Sequence, residues 1–194
     1  MVFPKRLVVA LSGASGVPLG VRLLEKMQAV PDWETHLVLS AGAKRTIHEE
    51  TDLAVADVEA LATRVYPEGD IGASIASGTF RTQGMVIVPC SMKTLAGVAH
   101  GFSENLLLRA ADVTLKERRR LVLVAREMPL SLIHLRNMTA VTEAGAIVLP
   151  PMISFYQRPK TVDDMVDHVV GKILDIFEIE MPGYCRWKET NTQQ

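Results

Sequence analysis

The stretch from Leu7 to Gly20 reads LVVALSGASGVPLG, and it predicts a buried strand that leads through a tight turn into a helix. The run LVVAL is continuously apolar, which is typical of a strand covered on both faces in a parallel sheet. Pro18 suits the first turn of a helix, and the apolar spacing extends that helix to about Val30. This strand–turn–helix unit is the first indication of an α/β fold.

Strands and helices alternate along the rest of the chain, which favours a single-domain, doubly wound parallel sheet with helices on both faces, of the Rossmann-like or flavodoxin-like kind. Residues 51–82 show no clear periodicity, and we expect them to be loop and connection. The predicted strands are Leu7–Leu11, Thr35–Ser40, Met85–Val88, Leu121–Ala125 and Ala146–Pro151, and the predicted helices are Pro18–Val30, Ala41–Glu50, Lys93–Lys116, Ser131–Gly145 and Val162–Phe177.

Length and charge exclude several classes of protein. A chain of 194 residues with 48 % hydrophobic and 22 % charged residues is expected to form one domain over 1–188, followed by a flexible tail at 189–194. The formal net charge of -1 lacks the basic surplus of a nucleic-acid-binding protein. The sequence shows neither a signal peptide nor a run of ~20 apolar residues, so we expect a cytoplasmic protein without a membrane segment.

The cysteines and histidines do not form a recognisable site. Cys90 and Cys185 are far apart and neither belongs to a CxxC pair, so the sequence supports neither a disulfide framework nor a zinc knuckle. The five histidines are scattered, and none has another at i+3 or i+4. We therefore predict no metal site, and we expect Cys90 to be a buried thiol rather than a nucleophile.

Small polar residues follow three of the predicted strands, at the edge where doubly wound sheets bind ligands. In the SGASG turn, Gly13 and Gly16 allow close backbone approach, and the following helix offers N–H groups to an anion. Ser40 follows the second strand, and Ser91 and Thr94 follow the third. Each also has an ordinary explanation, a tight turn for the glycines and helix caps for the hydroxyls.

Charged and aromatic residues form a second group of candidates. Arg126 and Glu127 end a buried strand, where an internal salt bridge is the alternative to a ligand site. The alternatives to a ligand-binding role are a solvated helix end for Lys116 and packing against the sheet for Tyr156. Trp187, in GYCRW, is an unusual residue for a surface tail unless it covers a neighbour or a ligand.

Seven segments of the sequence together resemble the UbiX family of flavin prenyltransferases. These segments are SGASG, HLVLS, PCSMKTLAG, RAADVTLKERR, LVLVAREMPLS, PPM with the following FY, and the terminal RW. The resemblance covers nearly the whole chain. It implies transfer of a dimethylallyl group from dimethylallyl monophosphate to N5 and C6 of reduced FMN, without a metal, giving prenylated FMN for a UbiD-type aromatic acid decarboxylase. It also implies a homo-oligomer, a dodecamer, whose sites are shared between subunits.

The resemblance further implies roles for individual residues. FMN contacts fall on Gly13, Ala14, Ser15, Ser40, Ser91, Met92, Lys93, Thr94 and Arg126. Contacts with dimethylallyl phosphate fall on Lys116, Arg126, Glu127, Tyr156 and Lys172, where Lys172 stands in place of the usual arginine and lacks its bidentate fork. Catalytic roles fall on Ser15, Glu50, Glu127, Lys116 and Trp187, although the neighbouring Glu49 leaves the register of Glu50 open.

Two other functions are alternatives. Flavoproteins that oxidatively decarboxylate peptidyl or pantothenoyl cysteine are built on a similar sheet, but they carry PASANT where this chain reads PCSMKT. The other alternative is an FMN carrier, or an accessory subunit that only stabilises a decarboxylase. Formation of a prenylated flavin distinguishes the enzyme from both.

Overall fold

The structure, a computed structural model, describes residues 4–184 and contains one parallel sheet of six strands. The strands are β1 Lys5–Leu11, β2 Trp33–Leu39, β3 Arg64–Tyr66, β4 Gly84–Cys90, β5 Arg120–Ala125 and β6 Ile147–Val148. Their order in the sheet is β3-β2-β1-β4-β5-β6, so the chain winds outward from β1 in one direction and from β4 in the other. The order confirms the predicted doubly wound, Rossmann-like fold.

Helices cover both faces of the sheet and give the predicted three layers. The helices are α1 Val17–Gln28, α2 Ala41–Glu50, α3 Val55–Ala60, α4 Met92–Ala99, α5 Leu106–Lys116, α6 Leu132–Glu143 and α7 Val162–Ile176. Alternate residues of β1 point to opposite faces, so Leu7 and Val9 pack with α1 and α7, whereas Val8 and Ala10 pack with α4 and α5.

Two predictions of secondary structure are wrong. The predicted helix Lys93–Lys116 is two helices, because the chain turns at Gly101 (φ 62°) and Asn105 caps a new helix. The stretch 51–82, predicted as loop, contains α3, β3 and a short 3₁₀ turn at Ser74–Ala76. The short edge strand β3 has little apolar periodicity because none of its three residues is fully buried.

The predicted boundary at 188, the tail 189–194, Cys185 and Trp187 lie outside the described residues. Within residues 4–184, no helix is both long and apolar enough to span a bilayer.

Candidate active site

The candidate site lies at the carboxyl ends of β1 and β4, where the winding direction of the sheet reverses. Such switch points leave a crevice between the two outgoing loops, which is where doubly wound sheets bind ligands. The loop after β1 carries Gly13–Ser15, and β4 is followed by Ser91, the N-cap of α4, and by the first turn of that helix, Met92–Thr94. Ser40 after β2 and Arg126 after β5 flank them. The topology therefore brings most of the expected FMN residues to one edge.

Ser12, which sequence reasoning missed, ties the two central loops together. Its side chain is only 1 % exposed, and its hydroxyl donates to the Pro89 carbonyl at 3.0 Å and accepts the Ser91 N–H at 2.7 Å. A buried hydroxyl with both roles satisfied sets the distance between the loops. The signal in the sequence is a serine directly after a buried apolar strand.

Two glycines allow the turn after β1 to pack closely on the start of α2. A Cβ atom on Gly13 would lie 2.9 Å from the Cα of Gly42, closer than real Cβ contacts come. Gly16, with φ 112°, is the N-cap of α1 and adopts a left-handed conformation that favours glycine. The predicted sharp turn is confirmed, and the close approach made by Gly13 is to Gly42.

The N-terminus of α1 is occupied by the chain's own carboxylate. Oε2 of Glu50, at the end of α2, accepts the N–H groups of Gly16 at 2.8 Å and Val17 at 2.9 Å. The sequence predicted that the N–H groups at the start of this helix bind a ligand anion. That prediction is wrong because Glu50 already accepts the N–H groups of Gly16 and Val17. Of the two neighbouring acids, Glu50 is the one that reaches the turn beside Ser15, whereas Glu49 is exposed.

Two cavities share the turn at 13–16. The polar cavity, of about 290 Å³, is lined by Gly13, Ser40, Glu68, Ser91, Thr94 and Asn105, among others. The apolar cavity, of about 360 Å³, is lined by Ser15, Pro18, Arg126, Met152, Val162 and Met165, among others. The polar cavity thus offers hydroxyl and amide groups together with the carboxylates of Glu68 and Glu104 and the ammonium of Lys93. The apolar cavity offers hydrocarbon with the guanidinium of Arg126 at its wall.

The hydroxyls of the polar cavity are helix caps. Ser40 Oγ accepts the Ala43 N–H at 3.0 Å, and Ser91 Oγ accepts the Thr94 N–H at 3.3 Å. Ser91 Oγ also donates to Thr94 Oγ1 at 3.0 Å. The capping alternative is therefore confirmed for both serines. Capping also fixes their oxygen atoms at the cavity wall, because a capping side chain has little rotational freedom.

Arg126 and Glu127 do not form the internal salt bridge that was the alternative to a site. Both side chains are exposed, and within residues 4–184 neither makes an ion pair. The Arg126 N–H donates to the Cys90 carbonyl at 3.0 Å, and Glu127 Oε1 accepts the Met128 N–H at 3.0 Å. The guanidinium is thus presented at the carboxyl edge without an acidic partner from the described chain.

Lys116 lies at the opposite edge of the sheet. It ends α5, directly before β5 begins, and its Nζ pairs with Glu117 Oε1 at 2.5 Å. This hydrogen bond from Lys116 lowers the pKa of the Glu117 carboxyl. A helix that returns antiparallel to the strands must end at their amino edge, so one chain cannot bring Lys116 to Arg126. The expected phosphate site is therefore not assembled within a single chain.

Tyr156 precedes α7 and Lys172 lies within it, and neither lines the apolar cavity. The Tyr156 ring packs edge-on against His168 with 5.7 Å between ring centroids, and Lys172 Nζ lies 3.2 Å from Asp175 Oδ2. His168 faces Gln157, with 3.1 Å between Nδ1 and Oε1. Burial, followed by repulsion from Lys172, lowers the pKa of His168. Trp187, the remaining aromatic candidate, lies outside the described residues.

Glu68 and Asn105 are polar-cavity residues that sequence reasoning missed. Glu68 follows β3, and its carboxylate accepts the Ala41 N–H at 2.8 Å and an Nδ2–H of Asn105 at 3.0 Å. Both belong to segments whose secondary structure was predicted wrongly. Recognising RVY as a short strand would have marked PEGD as a strand end with a polar residue, the signal used for the other loops.

Cys90 is a buried thiol, as predicted. It is 0 % exposed at the end of β4, and burial raises its pKa to about 12. Because the thiolate is the nucleophilic form, this cysteine is inert at neutral pH.

Comparison with known proteins gives a consistent result. The Flavoprotein family model matches residues 3–174. A probable UbiX-like flavin prenyltransferase of Streptomyces sp. (strain D7) is 59 % identical over 94 % of this chain and 91 % of that protein. A dodecameric FMN-dependent UbiX-like decarboxylase from Escherichia coli O157:H7 is 53 % identical, with a TM-score of 0.93 over 95 % of this chain and 100 % of the other.

A crystal structure of AnUbiX (PadA1) in complex with FMN and dimethylallyl pyrophosphate has the same TM-score of 0.93 at 49 % identity, over 95 % of this chain and 97 % of the other. The similarity spans the strands and loops that form both cavities. By fold, by the family model and by identity over nearly its whole length, this chain belongs to the UbiX-type flavin prenyltransferase family of flavoproteins.

Proposed function

We propose that this chain is a flavin prenyltransferase that joins a dimethylallyl group from dimethylallyl monophosphate to N5 and C6 of reduced FMN. The observation that carries the proposal is that a polar and an apolar cavity share the turn at 13–16. The first suits a hydroxylated, phosphorylated chain, and the second suits a five-carbon hydrocarbon. The AnUbiX structure, which holds FMN and dimethylallyl pyrophosphate together, supports this pairing.

The residues of the polar cavity fit FMN. Hydroxyls of Ser40, Ser91 and Thr94 offer hydrogen bonds to its ribityl and phosphate groups, and Lys93, with its side chain 88 % exposed, offers a cation. Gly13 is exposed, so the backbone of the turn through Ala14 is open to a flat ring, with Met92 at the start of α4. When bound, reduced FMN supplies the nucleophilic ring positions, and the chain supplies binding and orientation.

The apolar cavity would hold the dimethylallyl group with its phosphate towards Arg126. Breakage of the C–O bond leaves negative charge on the phosphate, and a cation fixed in place stabilises that charge as it forms. Positive charge develops on the hydrocarbon, where Trp187 would contribute a cation–π contact of about 1–2 kcal/mol when desolvated. Ser15 would lie beside the reacting position, and Glu50 and Glu127 would accept or relay protons.

A second copy of the chain completes the phosphate site in this proposal. Lys116 lies at the far edge of its own sheet, and Tyr156 and Lys172 lie outside the cavity of Arg126, so they would meet the phosphate of a neighbouring subunit. Exposed apolar side chains near the site are suited to such contact, and they are Met128 (84 % exposed), Met152 (72 %) and Phe155 (71 %). We propose a dodecamer like the Escherichia coli O157:H7 relative.

Mixing of two variants tests the shared site. Lys116→Ala and Arg126→Ala are each expected to be inactive as pure oligomers. Co-expressed oligomers are expected to regain part of the activity, because some interfaces then combine an intact Lys116 with an intact Arg126. Absence of any recovery in oligomers shown by mass to be mixed would remove the subunit-sharing part of the proposal.

Product analysis tests the reaction. The protein is incubated anaerobically with reduced FMN and dimethylallyl monophosphate, and the flavin is analysed by mass spectrometry. A flavin heavier than FMN by one dimethylallyl unit supports the enzyme, whereas unchanged FMN indicates a carrier. Parallel reactions with the diphosphate identify the donor. Reactions with EDTA test metal independence, since loss of turnover would show that a divalent ion is required.

We further propose that the product serves a UbiD-type aromatic acid decarboxylase in the cytoplasm. Addition of the purified product to such a decarboxylase, prepared without cofactor, is expected to restore decarboxylation. A peptide ending in cysteine serves as the alternative substrate, and its oxidative decarboxylation would instead favour the cysteine decarboxylases.

A further inference from the structure

Glu68 joins three segments around the polar cavity. Its Oε2 accepts the Ala41 N–H at the start of α2, at 2.8 Å, and its Oε1 accepts an Nδ2–H of Asn105, at 3.0 Å. Its backbone carbonyl accepts the Leu106 N–H at 2.8 Å. One half-buried residue after β3 therefore holds the N-termini of both α2 and α5 at the wall of this cavity.

The donors that face this carboxylate cannot reverse their roles. Ala41 presents a backbone N–H, which only donates. Asn105 uses its Oδ1 to accept the Leu108 N–H at 2.9 Å as the N-cap of α5, so its amide NH₂ group must face Glu68. Only a side chain with two acceptor oxygens satisfies both neighbours, and a glutamine would set its own NH₂ group against one of them.

We propose that Glu68 and Asn105 form a latch that positions the flavin-binding wall of the polar cavity. The inference rests on the proposed function, because it takes FMN as the occupant. Glu68 acts through Ser40 and Gly42, which line the cavity and flank the amide that it holds, and Asn105 acts through Leu107 and Leu108, which line the same cavity. Glu68 is thus a positioning residue, and it acts on FMN affinity rather than on bond formation.

A swap of the two residues tests the latch. Glu68→Gln leaves one pair of donors facing each other, and Asn105→Asp leaves two carboxylates facing each other. The double variant Glu68→Gln/Asn105→Asp restores every hydrogen bond. The new glutamine accepts from Ala41 and donates to the new aspartate, whose other oxygen still caps α5 through Leu108. Asp is as good an N-cap as Asn, and the net charge is unchanged in the double variant.

The readout is the dissociation constant of FMN, measured by flavin fluorescence at a temperature where every variant is folded. Each single variant is expected to raise it about tenfold, which corresponds to about 1.4 kcal/mol. The double variant is expected to return to within about threefold of the wild type, since coupled contacts are non-additive. Amide hydrogen exchange at Ala41 is expected to follow the same pattern.

A matched control separates the latch from simple charge removal. Glu104 lines the same cavity and is exposed, 3.8 Å from the ammonium of Lys93. Glu104→Gln removes one negative charge near an anionic ligand, so electrostatics alone would leave FMN binding unchanged or tighter. Weaker binding by Glu68→Gln than by Glu104→Gln therefore supports the latch.

The outcomes distinguish failure of the proposed function from failure of the latch. A wild-type protein that does not bind FMN overturns the proposed function. A wild-type protein that binds FMN, with single variants that bind equally well and lose only thermal stability, overturns the latch. If Glu68→Gln does not fold, the double variant decides alone, because the latch requires it to fold and bind FMN like the wild type.

Discussion

Glu50→Gln is expected to loosen the turn that carries Ser15, and its effect can be worked out from two contacts. A single carboxylate oxygen accepts the N–H groups of Gly16 and Val17, at 2.8 and 2.9 Å. Glutamine keeps an oxygen of the same shape but loses the charge. The variant therefore isolates the electrostatic part of the anchor at the N-terminus of α1.

The expected loss in the free energy of unfolding is about 1–2 kcal/mol. A hydrogen bond to a charged group contributes about 1.5–3 kcal/mol, against about 1 kcal/mol for a neutral pair. A negative charge at a helix N-terminus adds about 0.3–1 kcal/mol at an exposed site. Both N–H groups share one half-buried oxygen, so the two contributions do not double. For a domain of this size, each kcal/mol lowers Tm by about 2–4 °C.

Thermal and urea unfolding at one fixed protein concentration measure the loss, and amide hydrogen exchange locates it. Exchange at Gly16 and Val17 is expected to accelerate, while exchange in β4 changes only as much as global stability does. Glu49→Gln is the matched control, because Glu49 is exposed next to Glu50. Equal losses of unfolding free energy in the two variants, or unchanged exchange at Gly16, would refute the role of the Glu50 charge in holding the N-terminus of α1.

Three further predictions concern other parts of the site and core. Ser15→Ala is expected to retain FMN and lose prenylation by about 100-fold or more, measured by product mass, and full activity would remove Ser15 from the mechanism. Gly13→Ala forces a Cβ to within 2.9 Å of the Gly42 Cα and is expected to cost about 1–3 kcal/mol in urea unfolding. Burial lowers the pKa of His36, so stability present above its unfolded pKa of about 6.5 is lost as the pH falls below that value.

The predictions for Gly13 and His36 each have a control within the chain. Gly69→Ala adds a methyl group with no atom within 4 Å and is expected to be neutral, so an equal loss at Gly69 contradicts the Gly13 argument. His36→Gln is expected to flatten the fall in the urea midpoint between about pH 7 and 5. His100→Gln, at an exposed histidine, is expected to leave it unchanged. A pH profile that is identical in all three proteins contradicts the assignment to His36.

Local patterns in the sequence determined the layers of the fold. LVVAL is buried at β1, and the apolar spacing of α7 matches its buried face from Val169 to Leu174, because the period of the apolar residues reflects which side of a strand or helix packs in the core. Val162, at the start of the same spacing, is 75 % exposed and lines the apolar cavity instead. The capping roles of Ser40, Ser91 and Ser131 were readable for the same reason, since a cap contacts N–H groups within three residues. The motifs likewise identified the family.

Only the tertiary structure decided which residues meet. Glu50 and Gly16 are separated by 34 positions, and Asn105 and Glu68 by 37, so no local spacing predicts either contact. The structure also placed Lys116 at the edge opposite Arg126, because α5 must return antiparallel to the strands before β5 begins. Long-range contacts depend on how the sheet is wound, and this is why the chemistry of single residues was readable from the sequence while their assembly into a site was not.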